Sequence, residues 1–353
     1  MKILFICLST LEFNVRTPYE APLGGTESAL SYLSVELAKL GHDVFLMAKT
    51  QDNIIDGVQH LAISENIEHI NPDVVIVTSA PQACPAIKKL VPRAKLILWN
   101  HMQPDQPAML HLFQPEAKSA IDHLVYVSES QRSAFIKVDT KIERLRDHVI
   151  GNAMSPVFEN MFTSSEEILA VKKCRGAYTS TPFRGLAILS HIKELPIEVY
   201  SSMAVYQGDD TSFEAMYENL KLNDCIELKG SVSQTQLREG LKEISFLVYP
   251  SIFTECHSIA ILEAMAAGLK VITTEAASPE TEFIDAMPLQ DGSVETYTAL
   301  LRRNVNSFRS RPEAWADKMF KQIQYVNSEF TWAKKAKEWD RYLQNITSMP
   351  TSL

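Results

Sequence analysis

Phe246-Leu-Val-Tyr-Pro-Ser-Ile-Phe-Thr-Glu-Cys-His-Ser-Ile-Ala-Ile-Leu-Glu-Ala-Met-Ala-Ala-Gly-Leu-Lys-Val-Ile-Thr-Thr274 decides the fold. The apolar run Phe246–Tyr249 stops at Pro250, as a buried parallel strand does. Ser251–His257 reads as a loop. Ser258 is the expected helix N-cap, and Ile259–Ala267 is rich in strong helix formers. Gly268 stands where a C-terminal cap belongs, and Lys270–Thr274 reads as the next strand. The unit is strand–loop–helix–strand, and parallel pairing makes its crossover right-handed.

Two carboxylates sit on this unit. Glu255 lies on the loop at the carboxyl end of the first strand, and Glu263 follows inside the helix. Open α/β sheets bind ligands in the crevice at that end. The helix N-terminus offers unpaired N–H groups and a positive dipole end, which suits phosphate. Carboxylates accept hydroxyl hydrogen bonds, so a polyhydroxylated ligand with a pyrophosphate tail matches both features. A lone Glu is more often a solvated acid. Glu263 is embedded in Ile-Leu-Glu-Ala-Met-Ala-Ala, an almost wholly apolar helix, which disfavours that role.

Glu-x7-Glu followed by Ala-Met-Ala-Ala-Gly-Leu-x-Val-Ile-Thr-Thr resembles the hallmark of retaining GT-B glycosyltransferases, family 4 (group 1) in particular. The resemblance spans nearly the whole chain. It implies an α/β fold of two Rossmann-like parallel-sheet domains facing across a cleft. By position it assigns Glu263 to the nucleotide ribose and Glu255 to the donor sugar. Where the family usually has Gly-Phe-Gly after the first Glu, this chain has Cys256-His257-Ser258-Ile259. The backbone N–H groups of Ser258 and Ile259 remain the expected donors to the nucleotide-sugar. The implied reaction moves a sugar from a UDP- or GDP-sugar to a carbohydrate, a lipid-linked carbohydrate or a small molecule, with retention at the anomeric carbon.

Composition narrows the alternatives. The chain has 353 residues, enough for about two domains, with 46% hydrophobic and 22% charged residues. Its formal net charge of -9 disfavours nucleic acid as a bulk partner. The five cysteines are scattered and form no Cys-x-x-Cys pair, which points to a reducing compartment and against a zinc site. No stretch reaches the length of a membrane-spanning helix, so a cytoplasmic protein, at most peripheral to a membrane, is expected. No Asp-x-Asp triplet suggests a metal, and no cofactor beyond the donor substrate is expected.

In the N-terminal half, Lys2–Leu8, Asp43–Ala48, Asp73–Ser79, Lys95–Trp99 and Asp122–Ser128 read as strands. Pro81–Leu90 and Glu129–Lys137 read as helices. Thr26 is the expected cap of a helix with Leu30, Leu33, Leu37 and Leu40 on one face and Gly41 at its end. The preceding Gly24-Gly25 lets backbone N–H groups approach a ligand, although a tight turn is the commoner meaning of such a pair. It resembles the family's glycine loop, which implies a place near the donor phosphates and the acceptor. The Ser9–Leu23 loop is the expected acceptor region. His101 follows the strand Lys95–Trp99, where site residues collect; the resemblance implies that it faces the donor sugar. Lys88, Lys89, Arg93 and Lys95, and Arg132, Lys137, Lys141, Arg144 and Arg146, form two basic runs. A solvated face is their ordinary meaning, and contact with anionic lipid or an anionic acceptor the sharper one.

His148–Phe158 resembles the family's hinge. It divides the chain into 1–155 (acceptor side), 156–328 (donor side) and a 329–353 helix crossing back to the first domain. Beyond it, Ala177–Leu186 reads as a strand end, a turn and a helix start. Arg184 occupies the family's phosphate-binding Lys position before Gly185. The family's upstream Arg position is Thr179, so Arg175 or the Ser180 hydroxyl is the expected replacement. Ile197–Ser201 and Cys225–Leu228 read as strands, and Ser233 as a helix N-cap. The resemblance places Val232 at the nucleotide base. Ser278-Pro279-Glu280 reads as a helix start. Pro312–Val326 and Thr331–Ile346 read as helices, the last with Trp332 and Trp339 near one face. His101, Glu255 and Arg184 are thus the expected catalytic residues. The donor contacts are Gly24, Gly25, Ser180, Arg184, Val232, Glu255, Ser258, Ile259 and Glu263. A sugar-nucleotide epimerase on the same fold and a non-catalytic nucleotide-binding protein are the competing readings.

Overall fold

The computed structural model describes residues 1–63, 66–277, 283–287 and 293–348. Ser278-Pro279-Glu280 lies outside the described residues, as do the side chains of Glu143 and Arg144. The chain forms two compact units. One takes Met1–Thr17, Gly25–Asn152 and the segment from Trp332 onward; the other takes Pro18–Gly24 and Ala153–Thr331.

The first unit is built on eight strands: β1 (Lys2–Ile6), β2 (Asp43–Ala48), β3 (Asn53–Ile55), β4 (Val58–Ala62), β5 (Val74–Thr78), β6 (Lys95–Asn100), β7 (His123–Tyr126) and β8 (Arg146–Val149). Their order is β3-β4-β2-β1-β5-β6-β7-β8. Every pairing is parallel except β3 with β4. Those two form a hairpin over Asp56-Gly57, both with positive φ, as a tight two-residue turn requires. The central strands β1, β5 and β6 read as unbroken apolar runs because both faces are covered.

The helix Gly25–Lys39 follows β1. It starts one residue before the expected cap, so Thr26 lies inside its first turn. The expected helix Pro81–Leu90 is a 3₁₀ turn, Pro81–Ala83, running into Cys84–Leu90. The helix Trp332–Ser348 packs within this unit through Trp332, Ala336, Trp339, Leu343 and Ile346, spaced by three or four residues along one buried stripe. Trp339 meets Trp99 edge-on at 5.3 Å, and Asp340 pairs with His42 at 3.0 Å. Two members of the basic runs are tied to local acids. Lys88 pairs with Asp122 at 2.6 Å and Arg132 with Asp147 at 2.8 Å.

The second unit carries six strands: β9 (Lys173–Tyr178), β10 (Ile197–Val199), β11 (Ile226–Leu228), β12 (Ile244–Val248), β13 (Lys270–Thr274) and β14 (Asp285–Met287). All are parallel, in the order β11-β10-β9-β12-β13-β14. The helix Ile259–Ala266 joins β12 to β13, as its sequence predicts. Its C-terminal end is heavily pinned. Gly268, at φ +72°, turns the chain, and Gln322 Nε2 donates to the carbonyls of Met265 and Leu269. Lys172, 7% exposed, donates from Nζ to the carbonyls of Leu241, Ile244 and Ala267. These bonds help satisfy the carbonyls at the helix end and fix the helix against β12. Its other end therefore stands on a rigid base.

Candidate active site

In the second unit, the loops after β9 and β12 meet. Gly185 has φ +100°, and a Cβ there would lie 2.1 Å from the Pro250 carbonyl oxygen. Only glycine combines that backbone angle with so close an approach. Gly185→Ala is therefore expected to destabilise the protein by about 1–3 kcal/mol, from left-handed strain and the displaced loop. A melting temperature equal to the wild type's would show the two loops to be loosely held.

The contact brings Arg184 onto Glu255, 71 residues away in sequence, with Nη1 donating to Oε1 at 2.5 Å. Tyr249, the last residue of the quoted apolar run, donates from its hydroxyl to the same Oε1 at 2.5 Å. The Ser180 hydroxyl lies 3.3 Å from that of Tyr249. The Arg184 guanidinium also lies 4.6 Å from the Phe253 ring centroid and 5.5 Å from that of Phe183. Burial lowers the pKa of Arg184, but Glu255, with Tyr206 and Tyr249, outweighs it and holds the group above its ordinary range. Burial, then the Glu255 carboxylate, pushes the Tyr249 phenol up, so it stays a donor. Two buried polar atoms at this turn have no hydrogen-bond partner: Arg184 Nε and Thr181 Oγ1. Unpaired buried donors beside a fixed cation suit an incoming anion.

Ser258 stands at the helix N-cap position, but its side chain makes no capping hydrogen bond. That departs from the expected cap and leaves the first-turn N–H groups of Ile259–Ala266 unclaimed by that hydroxyl. Glu263 is 3% exposed. Burial raises its pKa from 4.5 to about 8, against the opposing pull of the Ser155 backbone N–H and the Gln234 side chain. Its Oε1 is buried without a partner. Val232 packs against the core just before Ser233, whose hydroxyl accepts from the Gln236 N–H in a capping box.

Arg175, the other candidate for the upstream cation, lies on β9 itself. It is engaged with Glu198 at 2.8 Å and Glu227 at 3.4 Å, on the neighbouring strands. Ser180, by contrast, joins the Arg184 cluster through Tyr249.

In the first unit, His101 follows β6 directly. Its backbone N–H donates to Ser79 Oγ at 3.0 Å, and its ring lies 4.4 Å from that of Trp99. Gln131 braces the same corner, donating to the carbonyls of Asn100 and Met102 and accepting from the Val127 N–H. Glu27, in the first turn of Gly25–Lys39, is 8% exposed, and burial raises its pKa. Gly24 belongs to the second unit and Gly25 to the first, so the diglycine straddles the division of the chain. Neither glycine is among the described residues with positive φ.

Tyr249, Phe253, Gln234, Ser155 and Glu27 are not among the residues expected from the sequence. Tyr249 was hidden in an apolar run, and Gln234 and Ser155 become neighbours of Glu263 only through folding. Glu27 carried a signal, an acid in the first turn of a helix right after the glycine pair.

The family described as glycosyl transferases group 1 matches residues 190–306, a stretch that holds Glu255 and Glu263 but not Arg184. No curated protein matches the chain in sequence. Solved structures do match in shape. Sucrose-phosphate synthase from Thermosynechococcus elongatus aligns with a TM-score of 0.72 at 14% identity, over 98% of this chain and 99% of that one. WaaG, a glycosyltransferase involved in lipopolysaccharide biosynthesis, aligns at 0.66 and 15% identity, over 98% and 100%. HepE from Anabaena, solved with UDP and glucose, aligns at 0.67 and 16%, again over 98% and 100%. The chain has the GT-B fold. Both of its sheets are accounted for by that architecture, and the Arg184–Glu255 cluster stands at the carboxyl ends of β9 and β12 in the second of them.

Proposed function

We propose that this GT-B protein is a retaining glycosyltransferase that moves a sugar from a nucleotide-sugar, a UDP- or GDP-sugar, to a carbohydrate or lipid-linked acceptor. The observation that carries the reading is the Arg184–Glu255–Tyr249 cluster on the same unit as the buried Glu263. In the reaction, the bond from the anomeric carbon to the pyrophosphate oxygen breaks, and the acceptor oxygen bonds to that carbon while its proton passes to the departing phosphate. Negative charge grows on the leaving pyrophosphate. Arg184, Ser180 and the N–H groups at Ser258 and Ile259 are the groups that meet it. Glu255 holds a sugar hydroxyl and Glu263 the ribose, which is positioning work. His101, at the end of β6, and the glycine pair keep the donor roles that the family resemblance implies for them. Residues 9–23 are the proposed acceptor region. Among the described residues, no helix is long and apolar enough to cross a membrane.

The test is a melting series with UDP, GDP and their glucose and mannose conjugates, followed by nucleotide release. A ligand at a hundredfold its Kd adds about 2.7 kcal/mol of stability, which is several degrees. One nucleotide is expected to raise the melting temperature by that amount, and its sugar conjugate to be cleaved. If no nucleotide shifts the transition, the donor assignment fails. Epimerised sugar nucleotide appearing without acceptor would replace transfer by epimerisation.

A further inference from the structure

Glu255 is held through one oxygen. Among the described residues, both hydrogen bonds to its carboxyl end on Oε1, from Arg184 Nη1 and from the Tyr249 hydroxyl, each at 2.5 Å. A carboxylate oxygen offers two acceptor directions, so Oε1 is filled and Oε2 keeps both of its own for a ligand. The Glu255 side chain is 10% exposed, and a carboxylate gripped twice at one end presents the other in a fixed direction. Tyr249 is itself firmly held. It follows β12 directly, its backbone N–H donates to the Ile272 carbonyl at 2.9 Å, and its own carbonyl accepts from Thr273 Oγ1 at 2.8 Å. The residue is 1% exposed, with its ring edge-on to that of Tyr178 at 5.6 Å. Its hydroxyl gives its one proton to Glu255, so in the 3.3 Å contact with Ser180 the serine is the donor. Ser180, Tyr249 and Glu255 therefore form a directed relay, in which the serine sets where the phenol proton points.

We propose that Tyr249 is a positioning residue which, oriented by Ser180, fixes Glu255 so that Oε2 alone meets a hydroxyl of the donor sugar. The inference rests on the proposed nucleotide-sugar function and adds to it a residue that acts without touching the donor. Burial keeps the phenol from the ligand, so its effect passes through Glu255. Arg184 is the other grip on Oε1, but it is also the cation that meets the pyrophosphate. Without the phenol, the carboxylate turns about that single contact and loses its aim at the sugar. Tyr249 therefore matters for the sugar half of the donor and not for its nucleotide half.

The experiment measures Kd for UDP and GDP and for their glucose and mannose conjugates, on the wild type, Tyr249→Phe and Tyr178→Phe. Tyr249→Phe keeps the ring and removes only the hydroxyl. It is expected to weaken the bound conjugate by about tenfold relative to its own nucleotide, whose Kd stays near the wild-type value. Tyr178→Phe is the comparison. It removes a phenol from the same ring pair, one that donates to the Thr181 carbonyl at 2.8 Å, and it should leave the conjugate-to-nucleotide ratio unchanged. A merely structural role for Tyr249 would weaken nucleotide and conjugate alike and keep the ratio. Ser180→Ala is the second variant should Tyr249→Phe fold poorly. Because the ratio cancels any loss at the phosphates, it should fall in the same direction, by about two- to threefold. A wild type that binds a nucleotide and its conjugate, with a folded Tyr249→Phe whose ratio stays at the wild-type value, overturns the positioning role alone. A wild type that binds neither nucleotide overturns the donor function with it.

Discussion

Arg184→Ala lowers the rate of nucleotide release from the sugar conjugate by about 10²–10³-fold, with the donor KM changed only a few-fold. The size follows from what the residue does in the folded protein. Its guanidinium is held on one side by Glu255 and flanked by the rings of Phe253 and Phe183. Its buried Nε is left over. A fixed cation with a spare donor is worth most where charge develops, on the pyrophosphate in the transition state. Arg184→Lys should recover little of the loss. An ammonium keeps the charge, but it cannot serve Glu255 and a phosphate oxygen together in the planar fork, and it stacks less well on aromatic rings. Stability should fall as well, because Glu255 would be left half-buried with only Tyr249 as a partner. Rates are therefore compared at a temperature where circular dichroism shows the variant folded. A folded Arg184→Ala protein within tenfold of wild-type turnover removes Arg184 from the phosphate role.

The sequence made the architecture readable where burial writes itself into composition. Val74–Thr78 and Lys270–Thr274 are strands buried on both faces, and an apolar run bounded by breakers shows them. Where burial is partial, the signal weakens. Arg146-Asp-His-Val149 is an edge strand of mostly polar residues, held by backbone pairing with β7, and no periodicity marks it. The β3–β4 hairpin carried a usable sign in Asp56-Gly57, a residue pair made for a tight turn. β3 is only three residues long and largely exposed, and in β4 a histidine, His60, takes a buried position, so no alternation of apolar residues frames the turn. The site divided along similar lines. Glu255 and Glu263 lie in one local unit, and their placement at the end of a strand and inside an apolar helix follows from that unit's own pattern. The partners that give them chemistry are brought in by the fold. The ion pair to Arg184 depends on the close passage at Gly185, and the approach of Gln234 and Ser155 to Glu263 depends on separate segments converging. Sequence spacing carries no record of such convergence.

Glu263→Gln is the second large effect, and it acts on stability and binding in opposite directions. Burial raises the carboxyl from 4.5 to about 8, so the folded protein holds a proton there that the unfolded chain releases at about 4.5. A raised folded-state pKa means that the stabilising proton is fully present below pH 4.5 and is lost as pH rises through about 8. Above that point the folded protein carries a buried, poorly paired charge. The accumulated loss is on the order of 5 kcal/mol. The amide keeps the shape and has no charge to desolvate, so Glu263→Gln should melt several degrees higher than wild type at pH 9. The gap should shrink steadily towards pH 5. Binding moves the other way. Ribose hydroxyls favour the ionised carboxylate, so wild-type nucleotide affinity should climb by up to tenfold per pH unit until about pH 8, then level off. Glu263→Gln should bind about 10- to 100-fold more weakly at pH 8, with no such climb. Paired melting and titration series from pH 5 to 9 read both effects. A variant no more stable than wild type at pH 9 would show that the carboxylate is not costly where it sits. A variant that keeps the wild-type affinity would detach Glu263 from the ribose. Both outcomes together would mean that the acid is buried for neither folding nor ligand, which its place inside an otherwise apolar helix makes hard to reconcile with the physics of charge burial.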